Sequence, residues 1–296
     1  MNMKKFIIYI TLSVVATSAF AQQTKVESGA DEVIVCWDNT TAPHSNNDNN
    51  PEQYYITETG SVRFTTSNET VFYLFKAAKP TGHSVAIFPG GGYKNVNVGF
   101  SVAKWLSQNG ITAMVVKYRL PNGVREVPLE DAGAAVAFLR RNAERLGIDP
   151  NKIGVNGSSA GGHLAAWCSA ALEGESKPNF AVLLYPATNA EIWGCKTLWS
   201  CFDELLGHWR TQVDIENHSI QNLVNAQTPP TLILHSHDDS IAPVYGATSY
   251  YKALKQHGVK ASMHIYPSGD HGWRGVKDFE YRKQWMDATL EWILSF

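Results

Sequence analysis

Short β-branched runs that alternate with helix-length segments predict an α/β protein with a mostly parallel central sheet and helices on both faces. Two further observations support that class. Gly-rich or Asp-containing turns follow several of the strands directly, the position at which parallel sheets bind their ligands. Two β-rich runs, Ser61 to Thr66 and Thr70 to Phe75, precede the alternation; joined by Ser67-Asn68-Glu69, they read as an antiparallel N-terminal hairpin at the sheet edge. The chain can bury a large core, with 296 residues of which 44% are hydrophobic and 18% charged. A net charge of −2 leaves no electrostatic footprint for nucleic acid or for an anionic membrane surface.

Residues 1–21 stand apart from the rest. Lys4 and Lys5 precede the apolar run Phe6 to Val15, and Ala19-Phe20-Ala21 gives the small-x-small pattern of a signal peptide cut before Gln22. The run is too short to span a bilayer, and no cysteine stands at the cut to carry a lipid. The expected mature protein is secreted or periplasmic, without stable membrane association. Residues 22–296 are expected to form a single domain whose oligomeric state the pattern leaves open. Within it, residues 22–60 are polar around Asn46-Asn47-Asp48-Asn49-Asn50-Pro51 and read as an irregular extension.

The alternation then begins. Ser84 to Phe88, Ile111 to Tyr118, Lys152 to Asn156, Ala181 to Leu184, Thr231 to His235 and Ala261 to Tyr266 read as strands. Between and after them, Val102 to Gln108, Leu129 to Leu146, His163 to Leu172, Tyr245 to Gln256 and about Tyr281 to Leu294 read as helices, several stopped by glycine. Residues 187–225 interrupt the pattern and carry Trp193, Trp199 and Trp209; they read as a small cap over the strand ends in preference to an irregular insertion. Export permits disulfides, and Cys195 lies close enough to Cys201 for a local bridge, which the sequence leaves open. Cys168 reads as a small buried apolar residue, and none of the four cysteines has zinc-site spacing.

Chemistry concentrates at the strand ends. Gly157-Ser158-Ser159-Ala160-Gly161-Gly162 joins a strand to an Ala-rich helix, and small residues flanking Ser159 allow a turn sharp enough to project its hydroxyl at a helix N-terminus. After the strand at 84–88, Gly90-Gly91-Gly92-Tyr93 leaves backbone N–H groups uncovered, as an oxyanion hole requires, with the Ala160 N–H a further donor. His237-Asp238-Asp239 follows the strand at 231–235; Asp239 is preferred as the carboxylate that orients a histidine, Asp238 as a turn cap. Gly269-Asp270-His271-Gly272-Trp273 follows the last strand, in a loop able to reach Ser159. His163, on the helix behind Ser159, reads as a packing residue.

The order Ser159, Asp239, His271, each at a strand end, is that of an α/β-hydrolase fold. With Phe88-Pro-Gly-Gly-Gly-Tyr93, Tyr118-Arg-Leu-Pro121, Pro128-Leu-Glu-Asp131, Gly147-Ile-Asp-Pro-Asn-Lys-Ile-Gly154, Gly157-Ser-Ser-Ala-Gly-Gly-His-Leu164, Thr228-Pro-Pro-Thr231 and His264-Ile-Tyr-Pro267, the chain resembles the secreted carbohydrate-esterase branch of that superfamily. Its acetyl-xylan-esterase-like members are related to feruloyl and carboxyl esterases. The resemblance implies Ser159 as nucleophile, His271 as base, Asp239 as acid, Gly91, Gly92 and Ala160 as oxyanion donors, an acylated carbohydrate as substrate, and no metal or organic cofactor. Ser158 stands where many relatives carry an aromatic residue and Trp273 where Phe is common, which bears on the acyl pocket. Tyr93, Ser158, Trp193, Trp199 and Trp273 are the expected substrate contacts, and no strongly charged site is expected, as would suit a neutral sugar. Three rivals remain: a peptidase of the prolyl-oligopeptidase type, though without a propeller-sized N-terminal domain; a metal hydrolase using His235, His237, Asp238 and Asp239; and a non-catalytic carbohydrate-binding relative.

Overall fold

The structure, a computed structural model, describes residues 26–58, 60–191 and 196–296, with the side chains of 196–199 excepted. The leader, Trp193, Cys195 and the Trp199 side chain thus lie outside the described residues. In chain order the strands are β1 (Glu32–Asp38), β2 (Gln53–Ile56), β3 (Val62–Thr66), β4 (Glu69–Phe75), β5 (Ser84–Phe88), β6 (Val96–Val98), β7 (Thr112–Lys117), β8 (Ile153–Ser158), β9 (Phe180–Leu184), β10 (Thr231–Ser236) and β11 (Ala261–Tyr266). The helices are α1 (Ser101–Gln108), α2 (Glu126–Arg141), α3 (Ala143–Leu146), α4 (Ala160–Ala171), α5 (Lys196–Leu206), α6 (Gln212–Asn217), α7 (Val244–Gln256) and α8 (Arg282–Leu294).

The large sheet has the order β1-β4-β7-β5-β8-β9-β10-β11, and its strands from β7 to β11 in that order run parallel. Every residue of β5, β7, β8, β9 and β10 is buried, as strands covered on both faces require. Helices provide that cover. α1 and α8 meet through Trp105 and Trp285, while α2 lies against the C-terminal end of α4 where Gly133 faces Leu172. α4 is buried around its whole circumference, which its Ala-rich sequence permits without loss of helix propensity.

The expected hairpin is not formed, although both of its strands are. β4 is buried at six successive positions, so it needs cover on both faces, and it inserts between β1 and β7, antiparallel to each. β3 buries alternate residues and joins β2 and β6 in a separate three-stranded antiparallel sheet. The linker between them is held away from a turn: Ser67 Oγ donates to the Tyr118 carbonyl, and the Ser67 carbonyl accepts from Leu120 N–H and from Asn46 Nδ2. The segment expected to be irregular likewise contributes β1, whose Val33-Ile34-Val35 core is β-branched, and β2.

Two of the resembling stretches meet as scaffold. Arg119 and Asp131 form a fully buried ion pair, 2.8 Å from Nη2 to Oδ1, with Trp37 Nε1 donating to the same carboxylate. It ties the loop after β7 to α2 and β1. Among the described residues no helix is long and apolar enough to cross a membrane.

Candidate active site

β8 ends in Ser158, and Ser159 turns the chain into α4 with φ 56° and ψ −124°, a conformation L-residues avoid. The surrounding backbone holds it there: Ser159 N–H donates to Leu184, and its carbonyl accepts from His163 and Ala187. Glycine is required close by, since a Cβ on Gly161 would lie 2.1 Å from the Phe88 carbonyl oxygen. The result is a half-buried hydroxyl at the mouth of a cleft of about 910 Å³. A larger cavity, about 1180 Å³, is lined by Leu129, Phe138, Trp167 and Leu172 among others and holds no member of the triad; polar chemistry belongs to the smaller one.

The three loops converge as the motif order predicted. His271 Nε2 lies 2.8 Å from Ser159 Oγ, and His271 Nδ1 lies 2.8 Å from Asp239 Oδ2. A carboxylate can only accept, so Nδ1 carries the proton and Nε2 is left to accept from the serine hydroxyl. Asp239 is fully buried at its side chain, which by itself would raise its pKa. Hydrogen bonds from His235 and His271, with the Ala242 N–H, outweigh burial and hold it down at about 2. The remaining oxygen, Oδ1, accepts from the Ile241 and Ala242 N–H groups. Asp238 faces the other way and accepts from the Gly269 and Asp270 N–H groups, while Asp270 accepts from Ser240 N–H and Oγ. These reciprocal bonds lock the Asp239 and His271 loops together.

The glycine loop is folded back over the elbow. Asn95 N–H donates to Gly91 and Asn97 N–H to Gly90, and Gly91 has φ 141° with the Asn95 carbonyl oxygen only 2.0 Å from where a Cβ would sit. Among the described residues nothing accepts the N–H of Gly91 or Gly92, and both glycines line the cleft with Ser159 and His271. Ala160, at the first turn of α4, is buried.

Two expected substrate contacts are corrected. Tyr93 is 1% exposed, and its hydroxyl meets His163 Nδ1 at 2.8 Å, so its ring anchors the glycine loop to α4. Trp273 is also 1% exposed, stacked on Phe279 and edge-on to Tyr185 and Tyr266, its surface already used in the core. Ser158 does line the cleft. His163, expected to pack behind the nucleophile, does so, its Nε2 bonded to the His218 carbonyl. Cys168 is buried; Cys36, Cys168 and Cys201 are free thiols, and Cys201 lines the cleft beside Ser200 from α5.

The aromatic residues that do reach the cleft are others. Tyr185, immediately after β9, lies edge-on to His271 at 4.8 Å, and the strand-end rule applied once more would have found it. Tyr55, from β2, is 49% exposed, and Arg63, from β3, reaches its hydroxyl. The site is also charged, contrary to expectation, since Arg63, Lys94 and Arg274 all line it. Of the four residues weighed as metal ligands, His235 and Asp239 meet at 3.3 Å, but Asp238 turns to the histidine loop and His237 is exposed, so the four do not gather at one point.

A parallel sheet whose strand-end loops unite serine, aspartate and histidine in that chain order has the layout of an α/β-hydrolase. Residues 122–296 match the model of the prolyl oligopeptidase family, and the chain belongs to that family. It is 36% identical over 228 residues to an acetylxylan esterase of Xylanibacter ruminicola, aligning 75% of this chain with 47% of that one. It is 27% identical to endo-1,4-beta-xylanase B of Butyrivibrio fibrisolvens, over 67% of this chain and 33% of that one. The chain therefore spans less than half the length of these two relatives. Among solved structures it resembles an acetyl ester-xyloside bifunctional hydrolase from Caldicellulosiruptor lactoaceticus, at 30% identity and a TM-score of 0.74, covering 89% of this chain and 96% of that one.

Proposed function

We propose that this protein is a carboxylic ester hydrolase that removes acyl groups, chiefly acetyl, from plant polysaccharides or oligosaccharides such as acetylated xylan. The hydrogen-bonded line Ser159–His271–Asp239 carries the reading. His271 takes the serine proton as Oγ attacks the ester carbonyl, and Asp239 holds the imidazole tautomer and stabilises its protonated form. The N–H groups of Gly91, Gly92 and Ala160 receive the developing oxyanion. His271 then returns the proton to the departing sugar hydroxyl, leaving an acyl-serine. Water, activated in the same way, releases the acid. The acetylxylan esterase and acetyl ester-xyloside hydrolase relatives favour an acetylated glycan, and exposed Tyr55 offers a ring on which a sugar can stack. The leader read in residues 1–21 favours action outside the cytoplasm, by residues 22–296 as one catalytic domain.

Ser159→Ala is expected to abolish release of 4-nitrophenol from 4-nitrophenyl acetate, by about 10,000-fold or more, with an unchanged Tm. Retained turnover in that variant overturns the mechanism. The name of the matched family supports a second reading, a serine peptidase with the same triad; efficient cleavage of aminoacyl-proline amides, with acetyl esters left intact, would establish it.

A further inference from the structure

Some cations in this chain are paired, among them Arg119 with Asp131, Arg145 with Glu32 and Lys283 with Asp287. The cations of the cleft are not. Arg63, Lys94 and Arg274 line it, and among the described residues none of the three has an ion pair. Outside the triad, Glu58 is the acid found among the described lining residues. In a chain of net charge −2, positive charge has been gathered at the place where substrate must enter.

Arg274 is the best placed of the three. It follows His271 by three residues, in a short 3-10 turn that opens at Gly272 with φ 87°. Trp273, the preceding residue, is fixed on the core side by Phe279 and Trp285, and Arg274 turns to the cleft instead. Arg274 lines the cleft together with Tyr185, Ser158 and Ser159, which places it beside the nucleophile elbow. Its Nη1 is closed off from solvent and has no hydrogen-bond partner among the described residues. A buried guanidinium nitrogen with nothing to donate to is costly, and planar paired donors of this kind match a carboxylate. Arg63, which lines the same cleft, donates Nε to Asn97 Oδ1 and Nη1 to Tyr55 Oη, both neutral, so its charge is positioned but not neutralised.

Resting on the esterase reading above, we propose that Arg274, supported by Arg63, binds a carboxylate on the substrate, so that the preferred ester is an acylated glycan bearing a uronic-acid group. Electrostatic focusing in the cleft adds to the pairing and weakens with salt.

The experiment compares kcat/KM on acetylated xylo-oligosaccharides bearing a uronic-acid side group with that on the same oligosaccharides after carboxyl reduction. A 4-nitrophenyl hemisuccinate, against 4-nitrophenyl acetate, tests a carboxylate carried on the acyl group instead. The wild-type protein should prefer the acidic oligosaccharide about tenfold or more at low salt, with the preference shrinking at high salt. Arg274→Gln should remove most of it, and Arg274→Lys should restore part. Equal rates on acidic and reduced oligosaccharides overturn the inference while the esterase reading stands, as does a preference confined to the hemisuccinate. Hydrolysis of 4-nitrophenyl acetate with no turnover of either oligosaccharide overturns the glycan substrate and this inference together. A preference unchanged in Arg274→Gln overturns the assignment of the residue.

Discussion

The cleft has two walls of different construction. On one side stand the ends of the buried parallel strands β5, β8 and β10 and of the partly exposed edge strand β11, which lead into the glycine loop, Ser159, Asp239 and His271. On the other stands the small sheet β2-β3-β6, which brings Tyr55, Arg63 and Asn97 to the same opening through antiparallel pairings outside the main core. The reacting groups are held by neighbours that cannot move without disturbing packed strands. On the other wall Tyr55 is exposed while Arg63 and Asn97 are half-buried, and the three are joined by single hydrogen bonds. On the proposed reading, chemistry needs fixed distances, whereas selection among substrates needs only a surface of the right charge and shape.

If that division is correct, substitutions on the two walls differ in size and kind. Asp239→Asn should lower kcat/KM by about 10,000-fold, because the amide no longer holds the His271 tautomer, with KM little changed; a loss below tenfold would place the orienting role elsewhere. Gly91→Ala comes next. The close Asn95 carbonyl forces the loop to shift, so a loss of about 100- to 1,000-fold in kcat is expected, with a smaller change in Tm; wild-type kcat would remove Gly91 from the oxyanion hole. On the recognition wall, Tyr55→Ala should raise KM for an acetylated oligosaccharide by roughly three- to tenfold, relative to its effect on 4-nitrophenyl acetate, and an identical effect on both substrates would argue against stacking. The smallest effect concerns the anchor of the glycine loop. Burial lowers the His163 pKa from 6.5 to about 3. The unfolded chain therefore takes up that proton at a pH where the folded chain does not, and the stabilisation is full above about 6.5 and lost as pH falls towards 3. Thermal unfolding between pH 7.5 and 5 should show Tm falling with pH, less steeply in His163→Gln; His83 and His218, also lowered by burial, keep some of the slope. An unchanged slope would show that His163 does not contribute.

The same division explains how much could be read from the chain. The three residues were legible because each follows a segment whose pattern reads as a strand, and because motif order fixes which loop holds which group. Asp239 was separable from Asp238 only by preference; the bonds from Asp238 to Gly269 and Asp270 give the reason, since that carboxylate fastens the histidine loop. Tyr93 and Trp273 were misread because an aromatic residue beside a catalytic loop has the same local pattern whether its ring faces substrate or core. β3 and β4 were read as partners because they are consecutive, yet their burial patterns, alternating in one and continuous in the other, send them to different sheets.

From the sequence alone came the α/β class, the order of the main strands and helices, and the identity of serine, histidine and aspartate, all properties set by local periodicity and by turns that only small residues allow. Tertiary structure decided which rings face the cleft, which strand lies at which edge, and that Arg63, Lys94 and Arg274 share one opening. Those outcomes depend on contacts between segments as far apart as β2 and the loop after β11, and on which surfaces are already buried when they meet. No local pattern encodes that.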